Sequence, residues 1–192
     1  MLEMCFQLLL LNPSLLCTTI NLDMEPEIVS DFFDACRHGD LAQVEELYKS
    51  NPDLIHIENQ KGFTPLVIAV YNNHKSVVEF LLQKGAQLEK PDFSGNTALM
   101  GVCFKGYTDI VSMLLAAGIN VNQRNGNGAT ALTFAATFGH VEIAEMLLHK
   151  GADVTIPDTR GKTPLDHARV QKNEAMVALL EKYAAPQAEA NK

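Results

Sequence analysis

Tryptophan is absent from this 192-residue chain, and aromatic residues make up only 7% of it. Basic residues are also scarce: 15 Lys and Arg face 23 Asp and Glu, for a net charge of -8. That balance excludes general affinity for nucleic acid, because phosphate binding needs a surplus of cations. Apolar runs are short of the roughly 20 residues that a membrane-spanning helix requires. Only four cysteines occur, at Cys5, Cys17, Cys36 and Cys103. With no C-x₂-C or H-x₃-H pair among them and the histidines, the ligand spacing of a zinc site is missing. The glycines of "NGNG" (125–128) lack the spacing of a phosphate-binding loop.

The first 23 residues, "MLEMCFQLLLLNPSLLCTTINLD", are apolar in the manner of an export signal. Yet Glu3 stands where such a signal carries Lys or Arg, and Asn12-Pro13 breaks the run. Three readings fit: a start assigned too early, with Met24 the first residue, a degenerate export signal, or an apolar flap packed against the rest of the chain. The remainder reads as a cytoplasmic body, with export as the alternative if residues 1–23 act as a signal.

What the chain has in abundance is self-similarity. Gly62, Gly95, Gly128 and Gly161 recur every 33 residues, each followed two places on by Thr64, Thr97, Thr130 or Thr163. A leucine column (Phe32, Leu66, Leu99, Leu132, Leu165) and a small-residue column (Ala35, Ala69, Val102, Ala135, Ala168) keep the same register. Threonine before an apolar stretch caps a helix, and Pro65 and Pro164 suit its first turn. Ser30 extends the threonine column backwards, one residue out of phase. Short first helices are expected to end near Asn73, Gly106 and Gly139, and second helices at Gly85, Gly118 and Gly151. The predicted fold is an all-α solenoid of five helix-turn-helix units over residues 25–184. The units fall at about 25–58, 59–91, 92–124, 125–157 and 158–184, with a flexible tail at 185–192. No unit buries its apolar face alone, so the units must stack on a shared core. Gln43 at one end and His167, Arg169 and Glu181 at the other read as polar caps.

Stretches such as "GFTPLVIAV" and "GATALTFAATFGHVEIAEMLLHKGADV" resemble the ankyrin repeat, with its Thr-Pro-Leu-His-x-Ala opening. The motif's histidine is replaced by Val67, Met100, Thr133 and Asp166. That departure predicts that the hydrogen bonds it makes between units are largely lost. The phrase "GNTALMGVCFKGYTDIV" is similar to one in small stand-alone bacterial ankyrin proteins, some encoded beside catalases. That likeness implies an accessory role in oxidative-stress defence.

No column reads as a reactive site. His74 and His140 share theirs with Asp40, Tyr107 and Asn173, a mixture that a general base or ligand would not tolerate, so they read as turn residues. Cys36 and Cys103 alternate with Val70 and Ala136 and read as packing residues. Two layers of about 10 Å each hold them beyond disulfide reach. No catalytic residue, cofactor or metal ligand is assigned.

The ankyrin resemblance places function on a concave surface of turn fingers and exposed first-helix positions. Carried over by position, it implies partner-binding residues Arg37, Lys61, Phe63, Tyr71, Asn72, Phe93 and Asn96. Phe104, Lys105, Arg124, Asn127, Phe138, Arg160 and Lys162 complete the set. Basic and aromatic side chains gather there, while acids such as Glu79, Glu142 and Glu145 lie on the second helices. The expectation is a monomeric, non-catalytic module that binds a protein with an acidic patch. A thiol-dependent redox accessory and a self-associating structural unit stand as alternatives.

Overall fold

The computed structural model describes residues 25–190; the apolar leader at 1–23 lies outside them. Among the described residues there are ten α-helices in consecutive pairs. These are α1 (Pro26–His38) with α2 (Leu41–Ser50), α3 (Pro65–Tyr71) with α4 (Lys75–Gln83), and α5 (Ala98–Lys105) with α6 (Thr108–Ala116). Then come α7 (Ala131–Phe138) with α8 (Val141–His149), and α9 (Pro164–Val170) with α10 (Glu174–Ala190). A single 3₁₀ turn, Pro52–His56, succeeds α2.

The threonine column does the capping expected of it. Thr64, Thr97, Thr130 and Thr163 accept the backbone N–H three residues on, at 3.3, 3.4, 3.3 and 3.3 Å. Ser30 does not: α1 begins at Pro26, a turn earlier, with Glu25 at its cap and no side-chain bond. At the other end, α10 continues to Ala190, past the expected start of a flexible tail at 185. First helices end in left-handed residues where predicted, Asn73 at φ 63° and Gly106 at φ 81°. In the last pair Lys172, at φ 56°, takes that role against its preference.

First helices stack on first helices (α1, α3, α5, α7, α9) and second helices on second helices, so each layer touches mainly its neighbours. The core lies between the rows. Phe32, Leu66, Leu99 and Leu132 are fully buried, as is the whole small-residue column. Gln43 stands exposed where Val77, Ile110 and Ile143 are buried, which leaves a polar outer face on the first unit. Arg169 bonds Glu181 at 2.9 Å across the last pair.

Fingers project from the stack, each built on an Asn or Asp column that sequence reasoning missed. Asn59, Asp92, Asn125 and Asp158 recur at the 33-residue period. Each Oδ1 accepts two backbone N–H groups, two and four residues on, at 2.8–3.0 Å. Successive fingers then hydrogen-bond through their backbones. Phe93 N donates to Lys61 O (3.3 Å), Gly126 N to Ser94 O (2.9 Å) and Thr159 N to Asn127 O (2.9 Å). His74 Nε2 donates to Arg37 O at 2.8 Å, and His140 Nε2 to Phe104 O at 3.3 Å. A Cβ on Gly39 would meet the His74 ring at 2.4 Å, so the histidine occupies space that only glycine leaves. The expected loss of bonds between units is therefore corrected: other positions supply them.

Candidate functional site

Because the stack repeats every 33 residues, side chains in one column meet across layers. Tyr71 and Phe104 share a column in the last turns of α3 and α5, and their rings lie 6.5 Å apart and nearly parallel. Phe138, one place further along α7, meets Phe104 edge-on at 4.6 Å. Even so, each ring remains open to solvent, at 42%, 38% and 47%. The three stand in a row across the ends of α3, α5 and α7. Lys105 Nζ rests 4.2 Å over the Tyr71 ring, a cation held by aromatic faces.

Two chambers run beside this ridge and share Phe134 as a wall. One, of about 340 Å³, is apolar and lies among Phe63, Val67, Tyr71, Met100, Gly101 and Phe104. Its depth comes from Gly101, where neighbouring units carry Ile68 and Phe134. The other, of about 390 Å³, is polar, with Asn127, Thr137, Asp158, Thr159, Arg160 and His167 around it. We refer to the two, with Phe134 between them, as the trough.

The structure sorts the candidate residues into different roles. Phe93 is 76% exposed at a finger tip, with its ring edge beside Gly62. Phe63 is half-buried in the apolar chamber. Asn96 ties two fingers together: Nδ2 donates to Asp92 at 3.2 Å, and its Oδ1 accepts from Asn125 at 2.8 Å. Asn72 is exposed, its Nδ2 bonded to Ile68 O at 2.8 Å. The Asn127 side chain has no hydrogen-bond partner among the described residues.

The basic side chains are not equivalent. Arg37 pairs with Asp34, and Arg160 lies 3.4 Å from Asp158. The Arg124 guanidinium is spent on the fingers, donating to Gly128 O at 3.1 Å and Pro157 O at 2.9 Å. Lys61, Lys105 and Lys162 have no ion-pair partner among the described residues. The uncommitted positive charge of the face is thus these three lysines.

Asp158 is the most perturbed carboxylate. The Lys162 backbone N–H, with His167 Nε2 at 3.1 Å and the Arg160 groups, holds its pKa down to about 2. Asp166 is lowered by the N–H and hydroxyl of Thr163, which it bonds as a capping box. Both carboxylates are engaged in holding the last finger and helix. The thiols lie elsewhere, in the core. Burial pushes Cys36 up to about 12 and Cys103 higher still, which suppresses the thiolate that redox chemistry needs.

Sequence reasoning missed Val67, Met100, Gly101 and Phe134. Val67 and Met100 sit in the column where the family motif has histidine, and in the sequence they signal only lost bonds. The available signal was the neighbouring column, Ile68, Gly101, Phe134, His167, whose members differ in size and polarity from unit to unit.

Antiparallel helix pairs stacked side by side, with turn fingers all on one edge, define a helical repeat solenoid. Comparison with known families specifies it further. Models described as ankyrin repeats match residues 32–125 and 114–168, together well over half of the chain. The chain belongs to the ankyrin repeat family. The NAD-capped RNA hydrolase NUDT12 of Homo sapiens is 31% identical over 82 residues, 43% of this chain and 18% of that protein. BTB/POZ domain-containing protein 3 of Schizosaccharomyces pombe is 40% identical over 68 residues, covering 35% of this chain and 13% of its own length. Ankyrin repeat and SAM domain-containing protein 6 of Mus musculus is 35% identical over 71 residues, covering 36% and 8%. The chain spans less than a fifth of the length of these relatives. No helix among the described residues is long and apolar enough to cross a membrane.

Proposed function

We propose that the chain is a non-catalytic, monomeric protein-binding module that engages an acidic partner through the concave trough. The observation that carries this reading is the ridge of Tyr71, Phe104 and Phe138, three neighbouring rings left open to solvent. Exposed aromatic clusters beside a cleft are where interface energy concentrates. Lys61, Lys105 and Lys162 supply positive charge without internal partners, which favours carboxylates on the partner and makes capture salt-sensitive. The burial of Cys36 and Cys103 works against the redox alternative. An accessory place in oxidative-stress defence completes the proposal and rests on the likeness of residues 95–111 alone; a cytoplasmic setting is proposed separately, with export the alternative if residues 1–23 act as a signal. Hydrolase activity is not carried over from a relative matched over 18% of its length.

The test is affinity capture from native extract, intact chain against a Tyr71/Phe104/Phe138 alanine triple, with circular dichroism to show that both are folded. Co-purifying protein should be lost from the triple and weakened by salt for the intact chain. Equal capture by both would rule out the concave face as the binding surface.

A further inference from the structure

We infer that the trough accepts an extended peptide segment with one large apolar anchor in the Gly101 chamber and an acidic residue beside it, held by Lys105. This deepens the protein-binding reading and rests on it. The shape comes first. The two chambers are separate and share Phe134 in their linings, so a ligand filling both must pass over that ring, which an extended chain can do. At about 340 Å³ the apolar chamber falls at the small end of ligand pockets and has room for one large anchor side chain.

The chemistry of each chamber then assigns the segments. Around the first, Phe63, Val67, Met100 and Phe104 offer no hydrogen bond, and Gly101 leaves the space a side chain would fill. Asp92 at its rim repels little, since Oδ1 accepts from Ser94 and Asn96 N–H at 2.8 Å and Oδ2 accepts from Asn96 Nδ2. Lys105 Nζ lies 4.2 Å over the ring of Tyr71, a residue of this chamber's lining, and has no ion-pair partner among the described residues. A peptide carboxylate next to the anchor meets that ammonium. The second chamber reads backbone: the uncommitted Asn127 amide offers one donor and one acceptor, the pairing of a peptide group. Asp158 there is already bonded by Arg160, Lys162 and His167 and ion-paired with Arg160, so this end adds no free charge to attract an acid. The recognised pattern therefore has polarity: acid and anchor towards Tyr71, neutral residues towards Phe138.

The probe is a phage library of random dodecapeptides, panned on the intact chain and on Gly101→Leu and Lys105→Glu variants whose folding is confirmed by thermal melting. The expected result is an enriched motif of a large apolar residue adjoining Asp or Glu. A fluorescein-labelled consensus peptide should bind Gly101→Leu at least about tenfold more weakly, the worth of one buried apolar side chain. Lys105→Glu should weaken it about three- to tenfold, less so at high salt. Enrichment of a basic or purely polar motif, or binding indifferent to Gly101→Leu, overturns the inference. So does a library that yields no motif. That last outcome differs from failure of the broader reading, because a folded partner captured by the intact chain and lost from the aromatic triple would still stand.

Discussion

The interior and the concave face are built from the same short helices, yet their columns behave in opposite ways. Between the helix rows, Leu66, Leu99 and Leu132 occupy one column and Ala69, Val102 and Ala135 another, all fully buried. One residue away, Ile68, Gly101, Phe134 and His167 share nothing but their register. An interior side chain must fit between near-identical neighbours, so size is dictated at native packing density. In the other column only Ile68 is buried, while Gly101, Phe134 and His167 keep partial access to solvent, so size and polarity vary there as they cannot in the interior.

The sharpest way to break this contrast is Leu99→Ala, which opens a cavity in a fully buried site. It should lower unfolding free energy by about 2–5 kcal/mol in urea titration. A loss below about 1 kcal/mol would mean that the layers do not depend on each other as described. Next in size is the pH response of the last finger. The folded pKa of Asp158, about 2, lies below its ordinary value of 3.8, so its contribution is present above pH 4 and is lost as pH falls towards 2. Asp158→Asn keeps the Oδ1 acceptor, as Asn59 and Asn125 show, and should flatten that decline in acid melts. Part of the slope persists through Asp166, lowered for a related reason.

Gly101→Ala tests the trough in the other direction. Its new Cβ would lie 3.7 Å from the Tyr71 ring, an ordinary contact. Removing a helix-interior glycine should stabilise the chain by about 0.5–1 kcal/mol. A gain here, set against the loss at Leu99, would show a residue retained at the expense of stability, as a binding chamber requires. Destabilisation would make Gly101 a packing residue instead. Smallest of all is Phe93→Ala, whose ring is mostly in solvent and which should shift stability by less than about 0.5 kcal/mol.

Period and capping made the fold readable in advance. The threonine column and the glycines after each helix state backbone requirements that a single residue type satisfies, and such requirements survive in sequence. Ser30 misled because Pro26, a residue suited to a helix's first turn, starts that helix a turn earlier and leaves Ser30 inside it. The bonds between units were misjudged for a different reason: they are made largely by backbone groups and by His74 and His140 in a turn column, so losing one motif side chain did not remove them. Within the site, the aromatic positions were legible as exposed outliers in a repeating pattern. Which lysines are free was not. Arg124 and Lys105 look alike in sequence, and only the fingers' carbonyls and the Tyr71 ring separate a structural cation from an available one.

The most direct test of the central claim is amide hydrogen exchange, comparing the chain alone with the chain bound to its captured partner. Protection should rise at residues 93–105 and 126–138, along the fingers and first helices that form the trough. If protection rose instead on the second helices, at 75–83, 108–116 and 141–149, the partner would sit on the opposite face, contradicting a concave binding surface.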